Sequence, residues 1–536
     1  MKKDRSSDIF SILRKYRWKL FLSALVTMVL VFGTLGYLSL GYSTSDSIFL
    51  AVKLLGLALH SYTDLPWQLE VGRFLSVFLM VSALLKAFLF FFSEQVSKPL
   101  RLKRNKDHVV IFGFNEHVEA FIEDIRKEGT TNIVVVTKNQ IENEYIDSIV
   151  ETVVLPSLSY ETMEMLALKQ TKHIVCMNMD DELDFNYAQS IIEFFNKYKS
   201  VNTDAINLHI HLNSYTIPDL FNHEDRNSIF QTVSCNLKFF NQQYNAARLL
   251  FETVPMEKYL SDDKPAHWLL SGDWHQQVSM MRYIAMISYY EDEQLPHITL
   301  LHKDHINYAI KLKTAFPQIE KTAHINVVET YEKLAVTTSI THIAVLFDNK
   351  IEGLEFTLHI SSILTTPPIF LLESYGSETI NERIHFFGVL QDLNTKKIIL
   401  DEVLDSRAKK VHAFYKKQYS SLPDWEQLSV FKKNSNRMQA EHISIKLRGI
   451  GWKDKQCFEG FDEFITSHSN LVHKWARIEH LRWNAFHYVH GWQKPEEGEE
   501  RDDSKKRHPD LILFNELSLK SQKKDYPAIE NIPNFI

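Results

Sequence analysis

The sequence predicts three kinds of structure in series: a membrane α-hairpin holding a short re-entrant helix, then tandem parallel-sheet α/β domains, then a mainly α-helical C-terminal module. Three observations predict it. Two apolar runs of membrane-spanning length lie within the first 100 residues. Short apolar runs alternate with amphipathic stretches from about residue 107 to 400, the rhythm of strands joined by helices. From about residue 406 the strand pattern stops, and aromatic and basic residues recur at helical spacing.

The totals narrow the function. The 536 residues give room for three or four domains, and a net charge of −7 supplies no basic face for nucleic acid. Cys176, Cys235 and Cys457 are far apart and match no zinc or disulfide framework, as in a reducing compartment. No nucleophile elbow, P-loop or H-E-x-x-H motif occurs, so no enzyme and no catalytic residue is expected.

Residues 1–18 form a basic N-terminus, and residues 19–95 hold two transmembrane helices with a re-entrant, pore-like loop. The spans are "KLFLSALVTMVLVFGTLGYLSL" (19–40) and "GRFLSVFLMVSALLKAFLFFF" (72–92). The first is too long for a cleaved signal and lacks a small-residue cleavage site. Lys2, Lys3, Arg5, Arg14, Lys15, Arg17 and Lys19 precede the first span, and Lys98, Arg101, Lys103, Arg104 and Lys106 follow the second. The link carries only Lys53 and Arg73, so both termini are expected on the cytoplasmic side.

Within that link, "SIFLAVKLLGLAL" is too short to span and is followed by "HSYTDLPWQLEVGRF". This arrangement resembles the pore module of two-helix potassium channels, with Ser47–Val52 opening a pore helix and Gly72-Arg73 opening the inner helix. The resemblance implies a homotetramer in a lipid bilayer. It stops at the filter. Where that family has threonine and glycine, this chain has Gly56, Leu57, Ala58, Leu59, His60 and Ser61. A ring of inward carbonyls needs residues at positive φ, which strains Leu or Ala by about 1 kcal/mol or more each. A potassium-type filter is therefore rejected, which leaves a pore of other selectivity or a non-conducting anchor. Lys86 lies inside the second span, where a charge is costly. It either faces a pore or cavity, or snorkels toward the basic flank, since it lies about seven residues from the end of the span.

In "DHVVIFGFNEHVEAFIEDIRKEGTTNIVVVTKN" (107–139) a strand runs into Gly113, a helix follows with Val118, Phe121, Ile122 and Ile125 on one face, and a second strand ends at Thr137. This is the opening of a Rossmann-like unit with a degraded fingerprint. Asn115 stands at the second glycine position and Val118 at the third, and Thr137, Lys138 and Asn139 replace the ribose-binding acid. NAD or another nucleotide at Gly113 and Asn115 is possible but disfavoured. "HVVIFGFNEHVEAFIEDI" and "DDELDFNYA" resemble the regulator-of-potassium-conductance domain, whose Rossmann modules form gating rings beneath two-helix channels. A second strand–turn–helix opens at "HWLLSGDWHQQVSMMRYIAMISYY", followed by further strands. The expected domains are 107–235, a helical connector over 236–263, and 264–400; the alternative is one large α/β domain with a long insertion.

The C-terminal module, 406–536, contains "PDWEQLSVFKKNSNRMQAEHISIKLRGIGW" and "LVHKWARIEHLRWNAFHYVHGWQKPEEGEERDDSKKRHPDLILFNELSLKSQKKDYPAIENIP". These resemble the ryanodine-receptor repeat domain in its bacterial form, through Asn436-Arg437, His442, Arg477, Glu479, His480, Arg482, Trp483, Gly491-Trp492, Lys506, His508 to Leu511, Asp525 and Ile532-Pro533. The resemblance implies a helical module and a bacterial inner membrane, and names no ligand. On a helix Arg477, His480 and Asn484 share one face, while Glu479 and Trp483 share the adjacent one. Arginine suits planar recognition of carboxylate or phosphate, and Trp483 and Trp492 could stack a base. Asn436, Arg437, His442, Arg477, Glu479, His480, Arg482, Trp483 and Trp492 are thus candidates to bind an anionic, nucleotide-like small molecule; the alternative is that the ion pairs only staple helices. His473, His480, His487 and His490 are too widely spaced along a helix to share a metal, so none is expected. The run "KPEEGEERDDSKKRH" reads as a solvated loop.

Together these readings describe a ligand-gated, channel-like membrane protein with a cytosolic Rossmann-like ring and a C-terminal sensor. The alternative is a non-conducting, membrane-anchored binding or scaffold protein.

Overall fold

The computed structural model describes residues 5–57, 65–92, 98–197, 206–214, 235–260, 264–330, 340–372, 382–452 and 457–536. It divides into two compact units, Met1–Arg104 and Asn105–Ile536.

The first unit is helical: α1 (Arg5–Ser39), α2 (Thr44–Leu55), α3 (Trp67–Phe92) and α4 (Lys98–Leu102). Phe21–Ser39 and Trp67–Leu89 are long and apolar enough to cross a membrane. At 12 residues, about 18 Å of helix, α2 is not. Its first turn is closed by Ser43, whose hydroxyl accepts from Asp46 N at 3.2 Å. Glycines let the three helices approach closely. A Cβ on Gly33 would lie 3.0 Å from Ala51 Cβ, and one on Gly72 would lie 3.2 Å from Leu54 Cδ2 and 3.3 Å from Gly33 N. Leu54 joins Val29, Tyr37 and Leu69 in the buried centre of the hairpin.

The second unit contains two six-stranded parallel sheets. The first is built from β1 (Val109–Phe112), α5 (Glu116–Lys127), β2 (Ile133–Thr137), α6 (Glu144–Ile149), β3 (Glu151–Val154), α7 (Tyr160–Met165), β4 (His173–Cys176), α8 (Asp181–Lys197), β5 (Ile206–His211) and β6 (Cys235–Phe240). Its order is β3-β2-β1-β4-β5-β6, the doubly wound Rossmann order. All four residues of β1 are buried, because helices cover both faces of such a sheet. β6 is a correction: the segment expected as a helical connector from 236 begins as a strand, paired with β5 from Ile206↔Cys235 to His211↔Phe240. Asn236 and Lys238 alternate with Leu237 and Phe239 too briefly to separate strand from helix by pattern alone.

The helix α9 (Gln242–Thr253) leads to the second sheet: β7 (His267–Gly272), α10 (Trp274–Ile287), β8 (His297–Leu301), α11 (His305–Ala315), β9 (His324–Val328), β10 (His342–Leu346), α12 (Lys350–Ile363), β11 (Ile369–Leu372) and β12 (Ile384–Phe387). The order β12-β11-β10-β7-β8-β9 is the first sheet's order read from the other edge. The α/β region is therefore tandem, with two separate sheets. The chain then crosses back: α13 (Leu390–Leu393) and α14 (Lys396–Ile399) precede Leu400, and Ile399 and Leu400 sit in the first domain's core with Phe121 and Ile125. Asp124 holds this return by accepting from Lys396 N at 2.7 Å.

The rest is helical: α15 (Ser406–Gln418), α16 (Val430–Glu441), α17 (Ile443–Gly449), α18 (Phe461–Ser467), α19 (Ser469–Val489), α20 (Leu519–Gln522) and α21 (Pro527–Glu530). α17 rests on α19 at Gly449, where any Cβ would collide with the indole of Trp475.

Candidate ligand-binding site

The 21-residue α19 organises the C-terminal module. Residues at i, i+1, i+4 and i+8 of one stripe, Glu479, His480, Trp483 and His487, face a cavity of about 1140 Å³. Asn436 and Gln439 of α16, Tyr415 of α15, Trp492, and the segment Lys520–Ala528 complete its walls.

The aromatic part is held by stacking. Trp492 is buried and lies on Phe431, with ring centroids 5.3 Å apart at 22°. Trp483 stacks on His480 at 5.6 Å and meets the edge of His508 at 4.9 Å. The Arg501 guanidinium lies 5.9 Å from the Trp492 centroid.

The inner wall is ionic and already partnered. Glu479, 3% exposed, accepts from Arg482 Nε at 3.0 Å and Nη2 at 2.8 Å. Lys446 Nζ stands 2.7 Å from the same carboxylate. Burial alone would raise the Glu479 pKa; the two cations override it and hold it at about 2. Burial lowers the pKa of Lys446, partly offset by Glu479. His480 Nε2 donates to Ile512 O at 3.0 Å, which leaves Nδ1 facing Asp525 Oδ2 at 3.2 Å. Burial raises the Asp525 pKa against the opposing pull of His480.

The outer wall is cationic. Lys432, Arg501, Lys506, Lys520, Lys523 and Lys524 line it, against Asp503 and Asp510. The acidic-basic loop is shaped by Asp502, which accepts from Ser504 N at 3.0 Å and Lys505 N at 3.1 Å. Its return is fixed by Gln493 N to Lys506 O at 2.9 Å and His508 N to Gln493 O at 3.1 Å. A mouth of surplus cationic groups beside indole faces can hold an anion attached to a planar ring.

Of the nine sequence candidates, Asn436, Glu479, His480, Trp483 and Trp492 line this cavity. The other four lie elsewhere. Arg437 donates to Asp405 Oδ1 at 2.9 Å and to Asn434 Oδ1 at 2.7 Å. His442 is fully buried and donates through Nε2 to Tyr289 O at 3.0 Å; burial and Lys446 keep it neutral. Arg477 pairs with Asp292, and Arg482 is sealed behind Glu479. Asn484 shares the His480 face but donates to the same Ile512 carbonyl, at 2.8 Å, which clamps the returning chain. Sequence reasoning missed Tyr415, Phe431 and the three lysines of the 520–524 stretch. The run "LKSQKKDYP", which contains the signature Asp525, was the available signal.

The other candidates are placed as follows. Gly113 has φ +112°, and a Cβ there would lie 2.7 Å from Met177 O. Asn115 caps α5, accepting from His117 N at 3.0 Å and Val118 N at 3.1 Å and donating to Met177 O at 2.8 Å. The helix amides that would cradle a phosphate thus already have an acceptor. Gly56 ends α2 with φ −87°, an ordinary value for any residue, and Leu57 follows at φ +60°. Ala58, Leu59 and His60 lie outside the described residues. Lys86 is exposed on α3. Among the described residues no group of three or more His, Cys, Asp or Glu could hold a metal ion.

No family model and no curated protein matches the chain. Similar solved structures include GsuK bound to ADP, with 12% identity, a TM-score of 0.38 and coverage of 73% of this chain and 99% of that one. The GsuK channel bound to NAD has 10% identity and a TM-score of 0.39, covering 74% and 86%. A dipicolinate synthase chain from Bacillus halodurans has 13% identity and a TM-score of 0.18, covering 47% and 86%.

Proposed function

We propose that this chain is a ligand-responsive, channel-like component of a bacterial inner membrane, with both termini cytoplasmic and four copies around one axis. Its C-terminal module, of ryanodine-receptor-repeat type, binds an anionic, nucleotide-like small molecule and performs no catalysis. The Rossmann-like pair carries the response toward the membrane helices, as a gating ring does. The observation that supports this reading most is the 1140 Å³ cavity, whose lining includes Trp483 and Trp492 together with Lys520, Lys523 and Lys524. Binding shifts a gate only if the ligand prefers one state of the ring. The test is calorimetric titration of the full chain in detergent with ATP as probe, together with planar-bilayer current with and without ATP. Saturable binding that Trp483→Ala weakens about tenfold or more is the expected result. No binding by ATP or by other purine and pyrimidine nucleotides overturns the sensor.

A second reading, a non-conducting anchor, is favoured by one feature: Gly56 is taken up in ending α2, and the next glycine is Gly72. Silence of the bilayer under a ligand that demonstrably binds supports the anchor over the pore.

A further inference from the structure

Helix α16 presents two different faces. Lys432, Ser435, Asn436 and Gln439 line the larger cavity. Asn434, Arg437 and Glu441 fall on the opposite side, because successive residues of a helix are turned by about 100°. That far side is fastened to other parts of the fold. Glu441 accepts from Arg248 Nε of α9 at 2.5 Å and from the Tyr283 hydroxyl of α10 at 2.9 Å. Arg437 Nε donates to Asp405 Oδ1 at 2.9 Å, and Arg248 Nη2 donates to the same oxygen at 2.9 Å. One turn earlier on α9, the Tyr244 hydroxyl donates to Met438 Sδ at 3.7 Å, and its ring meets that of Tyr283 with centroids 5.4 Å apart. Arg248 and Asp405 are 7% and 3% exposed, so water has little access to replace a bond that opens.

α9 is the helix that joins the two sheets: it follows β6 of the first and leads toward β7 of the second. At its start the buried Gln242 donates to Asn394 Oδ1 at 2.5 Å, and Asn394 Nδ2 donates to His117 Nδ1 of α5 at 3.1 Å. A displacement of α9 therefore reaches the first domain through two hydrogen bonds. A helix moves as a rigid unit within a packed core. A ligand that draws the cavity stripe of α16 toward the 520–528 wall carries Arg437 and Glu441 with it. α9 then follows, or buried charge-assisted bonds open with little water to replace them.

We propose that α16 relays occupancy of the larger cavity to α9, with Glu441 and Arg248 as the positioning residues of the relay. The relay rests on the reading that this cavity binds an anionic, nucleotide-like molecule, and it names the route by which binding there reaches the two sheets. Neither residue lines that cavity, so their role is separable from binding itself.

The test is hydrogen exchange, read by mass spectrometry, of the full chain in detergent with and without ATP, at a concentration that calorimetry shows to be saturating. ATP is expected to slow the amides of α9 by about fivefold or more, while α12, which packs on β10 and β11, changes by less than about twofold. Glu441→Met removes both acceptor oxygens and leaves Arg248 bonded to Asp405. This variant should bind ATP within about threefold of wild type and lose most of the α9 slowing. Binding of ATP with α9 unchanged, equal slowing of α9 and α12, or an undiminished α9 response in Glu441→Met each overturns the relay and leaves the binding reading intact. No binding by ATP or by other purine and pyrimidine nucleotides removes the reading and the relay together. Should Glu441→Met not fold, the wild-type contrast between α9 and α12 decides.

Discussion

Replacing Glu479 by glutamine isolates the charge logic of the C-terminal module. In the native fold one carboxylate serves two buried cations, Lys446 and Arg482, which are 0% and 1% exposed. Losing the negative charge leaves both facing each other without that counterion. Removing one partner of such a buried group costs about 3–5 kcal/mol. An independent figure comes from titration. The Glu479 pKa falls from an ordinary 4.5 to about 2 on folding, which at about 1.4 kcal/mol per decade corresponds to about 3 kcal/mol. Because the folded value is the depressed one, this stabilisation is complete above pH 4.5 and disappears as pH falls toward 2. The partners should behave differently. Lys446→Met leaves Glu479 and Arg482 as a balanced bidentate pair, so its cost is about 1–2 kcal/mol, mostly lost packing and one hydrogen bond. The assay is urea unfolding of the full chain in detergent, followed by far-UV circular dichroism at pH 7 and pH 3. Glu479→Gln should be the weaker protein at pH 7, and the gap to wild type should narrow at pH 3. If Lys446→Met proves as damaging as Glu479→Gln, or if the gap does not change with pH, the triad is not the charge-deficient cluster described above.

Three further outcomes follow from other parts of the chain. Gly449→Ala places a methyl inside the Trp475 ring and should destabilise the module by about 1–3 kcal/mol through overpacking, read as a lowered unfolding midpoint; an unchanged midpoint would mean that α17 is not seated as described. Asp405→Asn removes the negative charge shared by Arg248 and Arg437 and should cost about 3 kcal/mol or more, again by urea unfolding, whereas Lys313→Ala, at an exposed pair with Glu320, should change stability by less than about 1 kcal/mol. Gly72→Leu should force α1, α2 and α3 apart; the double substitution Gly33→Cys and Ala51→Cys is expected to cross-link once the helices ease apart by a few tenths of an ångström, and to lose its yield when Gly72→Leu is added, so that unchanged yield would refute the close crossing.

Much of this architecture was written in local chemistry. The two candidate membrane helices were legible because each is a run of about 20 mostly apolar residues, and the turn at Gly113 because strand, glycine and amphipathic helix follow in order. The second sheet was legible for the same reason, down to the turn at Gly272. The mainly helical C-terminal module could be read from its periodicity, and five of nine candidate ligand residues there share one cavity. What periodicity cannot carry is partnership. Arg437, Arg477 and Arg482 looked like equal candidates in the sequence, but only folding decides whether an arginine meets solvent or a carboxylate. Asp405 and Asp292 lie 32 and 185 residues away from Arg437 and Arg477 respectively, too far for any local rule to pair them. The short strand β6 needed the edge of β5 to declare itself, and the return of Ile399 and Leu400 to the first core is a long-range packing event. The sequence alone determined most of the helices and strands and the two candidate membrane spans, because those follow from neighbours in the chain. Tertiary structure alone decided which charges neutralise one another and which still face an open cavity, because that depends on groups brought together from distant parts of the chain.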